Sequence, residues 1–188
     1  TRFTAEMLAA QAAELTTIRR DIHRHPETAF EEVRTAEIVA EKLKSWGLEV
    51  HRGLATTGVV GTLKGNRPGQ KTIGLRADMD ALHLQEKNEF EHASSIPNKM
   101  HACGHDGHTA MLLGAARHLA STREFDGVAH LIFQPGCAAL QHQRVLTGGD
   151  QKRPRQRQHS HRPPIEQLAQ HPGGVVIHGV CRVGFAGS

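Results

Sequence analysis

The sequence predicts an α/β domain in which a central sheet is flanked by helices. The apolar residues switch between helical and strand periodicity along the chain, in the order helix, helix, strand, strand, strand, helix, strand. Hydrophobic residues make up 38% of 188 positions, enough for one modest core. The periodicity belongs to the first 135 residues, after which it stops.

Leu8, Ala12, Leu15, Ile18 and Ile22 recur at helical spacing and predict a helix over 4–24, ended by Pro26 in the stretch HRHPE. Val33, Ala36, Val39, Leu43 and Trp46 predict a second helix over 31–46, with Gly47 as its stop. LEVHR (48–52) and GVVGTLKG (58–65) read as strands. TIGLRADMD (72–80) alternates, placing Ile73, Leu75 and Ala77 on one face, and ends in two aspartates. Residues 81–100 read as irregular. Leu112, Ala115, Ala116 and Leu119 predict a helix over 107–121, and VAHLIF (128–133) a buried strand. A strand at 128–133 that ends the periodic part of the chain is expected to leave an open edge that invites aggregation and a poorly soluble or molten chain.

Residues 1–135 hold 16 Lys+Arg against 17 Asp+Glu, a net of −1, whereas residues 136–188 hold 7 against 2, a net of +5. A balanced body thus carries a basic tail. QHQRVLTGGDQKRPRQRQHSHRPP, rich in Gln, Arg, His and Pro, reads as disordered. GGVVIHGVCRVGF (173–185) reads either as a strand pair or as an unpaired apolar tail. KRPRQRQ (152–158) is the only support for nucleic-acid binding, and no aromatic interleaves it, so no nucleic-acid partner is expected. No apolar run reaches the roughly 20 residues of a membrane helix, and no basic-then-apolar leader opens the chain. No membrane partner is expected. Three cysteines, Cys103, Cys137 and Cys181, make an odd set that does not read as a disulfide framework; a reducing, cytoplasmic location fits it.

The densest chemistry lies in KMHACGHDGHTAM (99–111), with one cysteine, three histidines and one aspartate. Cys and His are borderline-soft ligands for Zn, Co, Ni or Mn. If the segment is extended, Cys103 and His105 point the same way and can reach one ion or a pair of ions. A structural zinc site would want a second ligand pair nearby, and none is present. A catalytic site that borrows ligands from distant segments fits better. The same residues also read as ordinary packing or surface groups. Asp78 and Asp80 follow a strand, where α/β folds place chemistry, and read equally as a turn or helix cap.

HRHPE (23–27), TGVVG (57–61), LRADMDAL (75–82), KMHACGHDGH (99–108) and IFQP (132–135) occur in this order. Together they resemble the M20 family of metal-dependent amidohydrolases, and most nearly its hippurate hydrolase and N-acyl-amino-acid hydrolase branch, which includes the auxin-conjugate hydrolases. The resemblance covers roughly residues 13–135 and implies the N-terminal half of a zinc-peptidase-like catalytic domain. It implies two divalent ions (Zn, Mn, Co or Ni) and hydrolysis of the amide bond of N-acyl amino acids as small-molecule substrates. Cys103 and His105 match the first two metal ligands, and Cys103 as thiolate can bridge two ions. Asp80 matches the supporting acid behind the site. Asp106 and His108 lie in the motif without a clear role as ligands.

The chain departs from the family in three places. DALHLQE has His83 where the family has Pro, and EFEHASSIPNKM (89–100) matches loosely. The third departure follows FQP, where the family has Ala-Glu-Glu and this chain has Gly136, Cys137 and Ala138. The general base position therefore holds Cys137, and the next ligand position holds an alanine. The lid domain, through which family members usually dimerise, and the later ligands have no counterpart, so oligomeric state is left open. The resemblance implies a partial catalytic domain over 1–135 and an unrelated tail over 136–188, the pattern of a shifted reading frame or misjoined segment. Replacement of the missing ligands by His159, His161 or Cys137 is disfavoured, and an inactive remnant is the alternative to an active hydrolase.

Overall fold

The computed structural model describes residues 5–136 and 175–179. Helix α1 spans Ala5–Arg24, α2 Val33–Ser45 and α3 His105–Thr122. The strands are β1 (Glu49–Leu54), β2 (Gly58–Lys64), β3 (Arg67–Asp78), β4 (Asp126–Gln134) and β5 (Val175–Gly179), in the sheet order β1-β2-β4-β3-β5. β1/β2 and β2/β4 pair antiparallel, whereas β3/β4 and β3/β5 pair parallel.

One core cluster joins all three helices to one face of the sheet. Ile18 and Ile22 come from α1, Val39 and Leu43 from α2, and Leu112, Leu113 and Ala116 from α3. They meet Val59, Leu63, Ala77, Ala129, Leu131 and Phe133. Register explains why these strand residues act together: Val59 and Ala77 both stand opposite Phe133, and Leu63 opposite Ala129. A strand's alternate residues share a face. Among the described residues, the three helices pack against this face of the sheet. A Cβ at Gly61 would come within 3.0 Å of both Leu43 Cδ1 and Leu48 Cδ2, so the missing side chain lets α2 settle onto β2.

Every predicted element in the body is present, with shifted ends. Val33 lies at the start of α2 and is 64% exposed, so it does not join the buried stripe. Ile73 is also exposed, while Ala77 on the same face is buried. The start of α2 is capped from a distance: the Glu27 carboxylate accepts the backbone N–H of Arg34 at 2.9 Å and of Thr35 at 2.8 Å. An anionic acceptor at this end satisfies orphan donors and suits the helix dipole.

Two expectations are corrected. β4 is not an edge strand; it is hydrogen-bonded to β2 on one side and β3 on the other. Its run VAHLIF is apolar because it lies inside the sheet. Within the apolar stretch 173–185, the described residues Val175–Gly179 form β5 and pair with β3 from Thr72 to Arg76, so this part is not an unpaired tail; the rest of the stretch lies outside the described residues. The expectation of a disordered tail otherwise lies outside the described residues. No helix among the described residues is long and apolar enough to cross a membrane.

Candidate metal centre

The site forms where the parallel pair β3/β4 ends and α3 begins. β3 carries Asp78 at its last position, with Asp80 two residues beyond. Carboxyl ends of parallel strands gather functional groups because the following segments diverge there. α3 starts at His105, two residues earlier than its periodicity suggests. Gly104 precedes it at φ 77°, a left-handed conformation that costs glycine least. Thr109 Oγ1 donates to the carbonyl of Asp78 at 3.1 Å and fastens α3 to the end of β3.

Because His105 opens a helix, the extended geometry expected for Cys103 and His105 does not hold. His105 and His108, three apart, share a helical face instead. Their rings stack with centroids 5.4 Å apart. His105 Nδ1 stands 2.9 Å from Asp80 Oδ1 and 2.9 Å from the Asp80 carbonyl. Its Nε2 faces Asp78 Oδ2 at 3.5 Å. Asp78 Oδ1 lies 2.7 Å from His108 Nδ1, and Arg76 Nη1 donates to Asp78 Oδ2 at 3.0 Å.

Among the described residues, Asp78, His105 and His108 offer ligand atoms that all lie within 4.8 Å of one another. Cys103 is exposed and stands outside this group, while Asp80 is buried behind His105. Cys137 lies outside the described residues. The donor set fits a divalent ion of the first transition row: two imidazoles and a carboxylate, partly or fully buried, with a carboxylate behind the histidine.

Charge is balanced by proximity. Burial raises the Asp78 carboxyl, but the His108 hydrogen bond and the charges of His105 and Arg76 outweigh it and hold it below the usual range. Burial also works against a charged His105, but the Asp80 hydrogen bond and the carboxylates of Asp78 and Asp80 together raise it.

A second network lies behind this centre, and the sequence pattern did not reveal it. Asp106, the second residue of α3, is 2% exposed. It meets His23 Nδ1 at 2.9 Å and accepts from Arg19 Nη1 at 3.2 Å. His23 Nε2 meets Glu86 Oε1 at 3.2 Å. Glu86 also accepts from Asn88 Nδ2 at 2.9 Å and from the backbone N–H of Ser94 at 2.6 Å. The network thus ties α1, the start of α3 and the irregular segment 81–100 together. Asp106 is therefore a structural anchor. The first histidine of HRHPE was its available signal, but nothing in the spacing connects positions 23, 86 and 106. His101 sits between the two networks; both its ring nitrogens are buried without a hydrogen-bond partner. Burial and the repulsion of His23 and His105 outweigh the pull of Asp106 and Asp80 and lower it to about 4, so the ring is neutral at neutral pH.

Residues 74–136, which carry Asp78, Asp80, Cys103, His105 and His108, match Peptidase family M20/M25/M40. The chain is 56% identical over 119 residues to hippurate hydrolase of Campylobacter jejuni, covering 63% of this chain and 30% of that protein. It is 50% identical over 118 residues to N-acyl-L-amino acid amidohydrolase of Geobacillus stearothermophilus, covering 62% and 31%. The crystal structure of the Bacillus subtilis YXEP protein, a dinuclear metal binding peptidase from the M20 family, superposes with a TM-score of 0.64 at 40% identity. That match covers 68% of this chain and 36% of the other. The chain thus spans about 30% of the length of these curated relatives, and its M20 fold is the part shared with them.

Proposed function

We propose that this chain carries the first half of the catalytic centre of a metal-dependent hydrolase that cleaves the amide bond of N-acyl amino acids. The observation that carries this reading is His105, clasped at Nδ1 by Asp80 with its Nε2 turned to Asp78, within a segment so similar to a hippurate hydrolase. A carboxylate behind a histidine selects its tautomer and leaves the other nitrogen for an ion. His105 would hold the ion, with Asp78, His108 and Cys103 as the remaining candidates on this chain. Asp80 acts as the supporting acid. A divalent ion there supplies Lewis acidity and acidifies water. Zn, Mn, Co and Ni all suit the donor set, and two ions are proposed, as in the dinuclear YXEP protein. The partner is a small amide substrate, and the three cysteines support a cytoplasmic location.

A second reading concerns competence. Pro135 is followed by Gly136, Cys137 and Ala138, so no carboxylate stands where the family resemblance places a general base and a further ligand. Loss of a general base commonly costs about 10²–10⁴ in rate. We therefore infer that the chain as written binds metal but turns over poorly, with 136–188 an unrelated basic tail. Metal content of the purified chain, measured with hippurate hydrolysis under added Zn(II) or Mn(II), tests both readings. Near-stoichiometric metal with hydrolysis at least 100-fold below that of the intact Campylobacter jejuni enzyme is expected. Comparable turnover would overturn the second reading, and absence of bound metal would overturn the first.

A further inference from the structure

Glu32 is completely buried, yet it takes no part in the centre described above. Its two carboxylate oxygens join two separate segments. Oε2 accepts from Thr57 Oγ1 at 2.6 Å, just before β2. Oε1 accepts from the backbone N–H of Gly136 at 2.8 Å, two residues after β4. Its own carbonyl accepts the first hydrogen bond of α2, from Ala36 at 2.9 Å. A buried carboxylate is costly unless such donors surround it.

Gly136 in turn lies directly on the site. A Cβ placed there would collide with Asp80 Oδ2 and with Ala29 Cβ. The backbone at 136 is therefore a wall of the Asp80 carboxylate, whose other oxygen holds His105 Nδ1 at 2.9 Å. The contacts run in one line, from Glu32 through Gly136 and Asp80 to His105.

We propose that Glu32 is a positioning residue of the metal centre: by holding the Gly136 amide it presses the chain leaving β4 against Asp80 and keeps that carboxylate on His105. The inference rests on the metal reading above only for its effect on the ion; the contacts themselves are independent of it. Glu32 also aims the chain toward positions 137 and 138, where the family resemblance places catalytic carboxylates. Burial raises the Glu32 carboxyl against the pull of its Thr57 and Gly136 donors, in keeping with a group retained for geometry.

The test compares Glu32→Asp, which withdraws the carboxylate by one methylene, with Glu32→Gln, which keeps an acceptor at full length. Three signals are read on the full chain: exchange of the Gly136 amide, the ring ¹H–¹⁵N signals of His105, and Zn(II) affinity by chelator competition. Glu32→Asp is expected to speed Gly136 exchange, shift the His105 signals and weaken Zn(II) about tenfold. Glu32→Gln is expected to leave the His105 signals in place and affinity within about twofold. Unchanged Gly136 and His105 signals in Glu32→Asp would overturn the proposal, as would equal disturbance by both variants. Should Glu32→Asp not fold, Thr57→Val, which releases the opposite oxygen, is expected to shift the same signals less, and no shift there would overturn it. If the wild-type chain binds no Zn(II), the metal reading fails, while the two spectroscopic signals still decide the role of Glu32.

Discussion

Asp78 Oδ1 stands 2.7 Å from His108 Nδ1, and the same carboxylate turns its other oxygen to His105 Nε2 at 3.5 Å. One aspartate at the end of β3 thereby addresses two histidines one helical turn apart. Asp78→Asn keeps the shape but removes the charge that faces both rings. Zn(II) affinity is expected to fall about 10- to 100-fold, read by chelator competition, with the helical circular-dichroism signal unchanged.

His23 bridges two buried carboxylates, Asp106 and Glu86. His23→Ala removes one partner from each, while Asp106 keeps Arg19 and Glu86 keeps Asn88 and the Ser94 amide. A loss of roughly 1–3 kcal/mol is expected from urea unfolding. A change below about 1 kcal/mol would show that water replaces the ring.

Phe133 is fully buried in the central strand β4 and lies opposite Val59 on one side and Ala77 on the other. Phe133→Ala is expected to cost about 3–5 kcal/mol in the same assay, because the interior of a sheet relaxes little around a cavity.

The Glu32 carboxyl is raised by burial above its ordinary value of 4.5. A carboxyl raised in the folded state favours folding while protonated, and that contribution is lost as pH rises through the folded value. Glu32→Gln has no such proton to lose. Relative to wild type, it is expected to gain stability as pH rises above 4.5, measured by thermal unfolding at a series of pH values. A pH-independent difference would show that Glu32 is not held in a raised state.

β5 covers the outer edge of β3 from Thr72 to Arg76. Deleting 137–188 would open that edge, leaving unpaired donors and acceptors able to pair with another chain. Sedimentation velocity is expected to show more self-association for the deletion than for the full chain. An unchanged distribution would mean that β5 does not protect the edge.

The sequence by itself determined the elements and the place of the chemistry. Apolar periodicity is a local property, so Ile18, Val39, Leu43 and Leu112 announced the buried faces of their helices. The aspartates after β3 and the cluster at 101–108 were legible because their residue types are rare at such density. Tertiary structure decided what pairs with what. VAHLIF looked the same as an edge strand or an interior one until β2 and β3 closed on either side of it. His108 joined the centre, and Cys103 stood apart from its group, because α3 begins at His105 and turns them by helical rather than extended geometry. His23, Glu86 and Asp106, like Glu32 and Gly136, lie far apart along the chain. Their hydrogen bonds exist only once the core has brought the segments together, and no local pattern encodes such a contact.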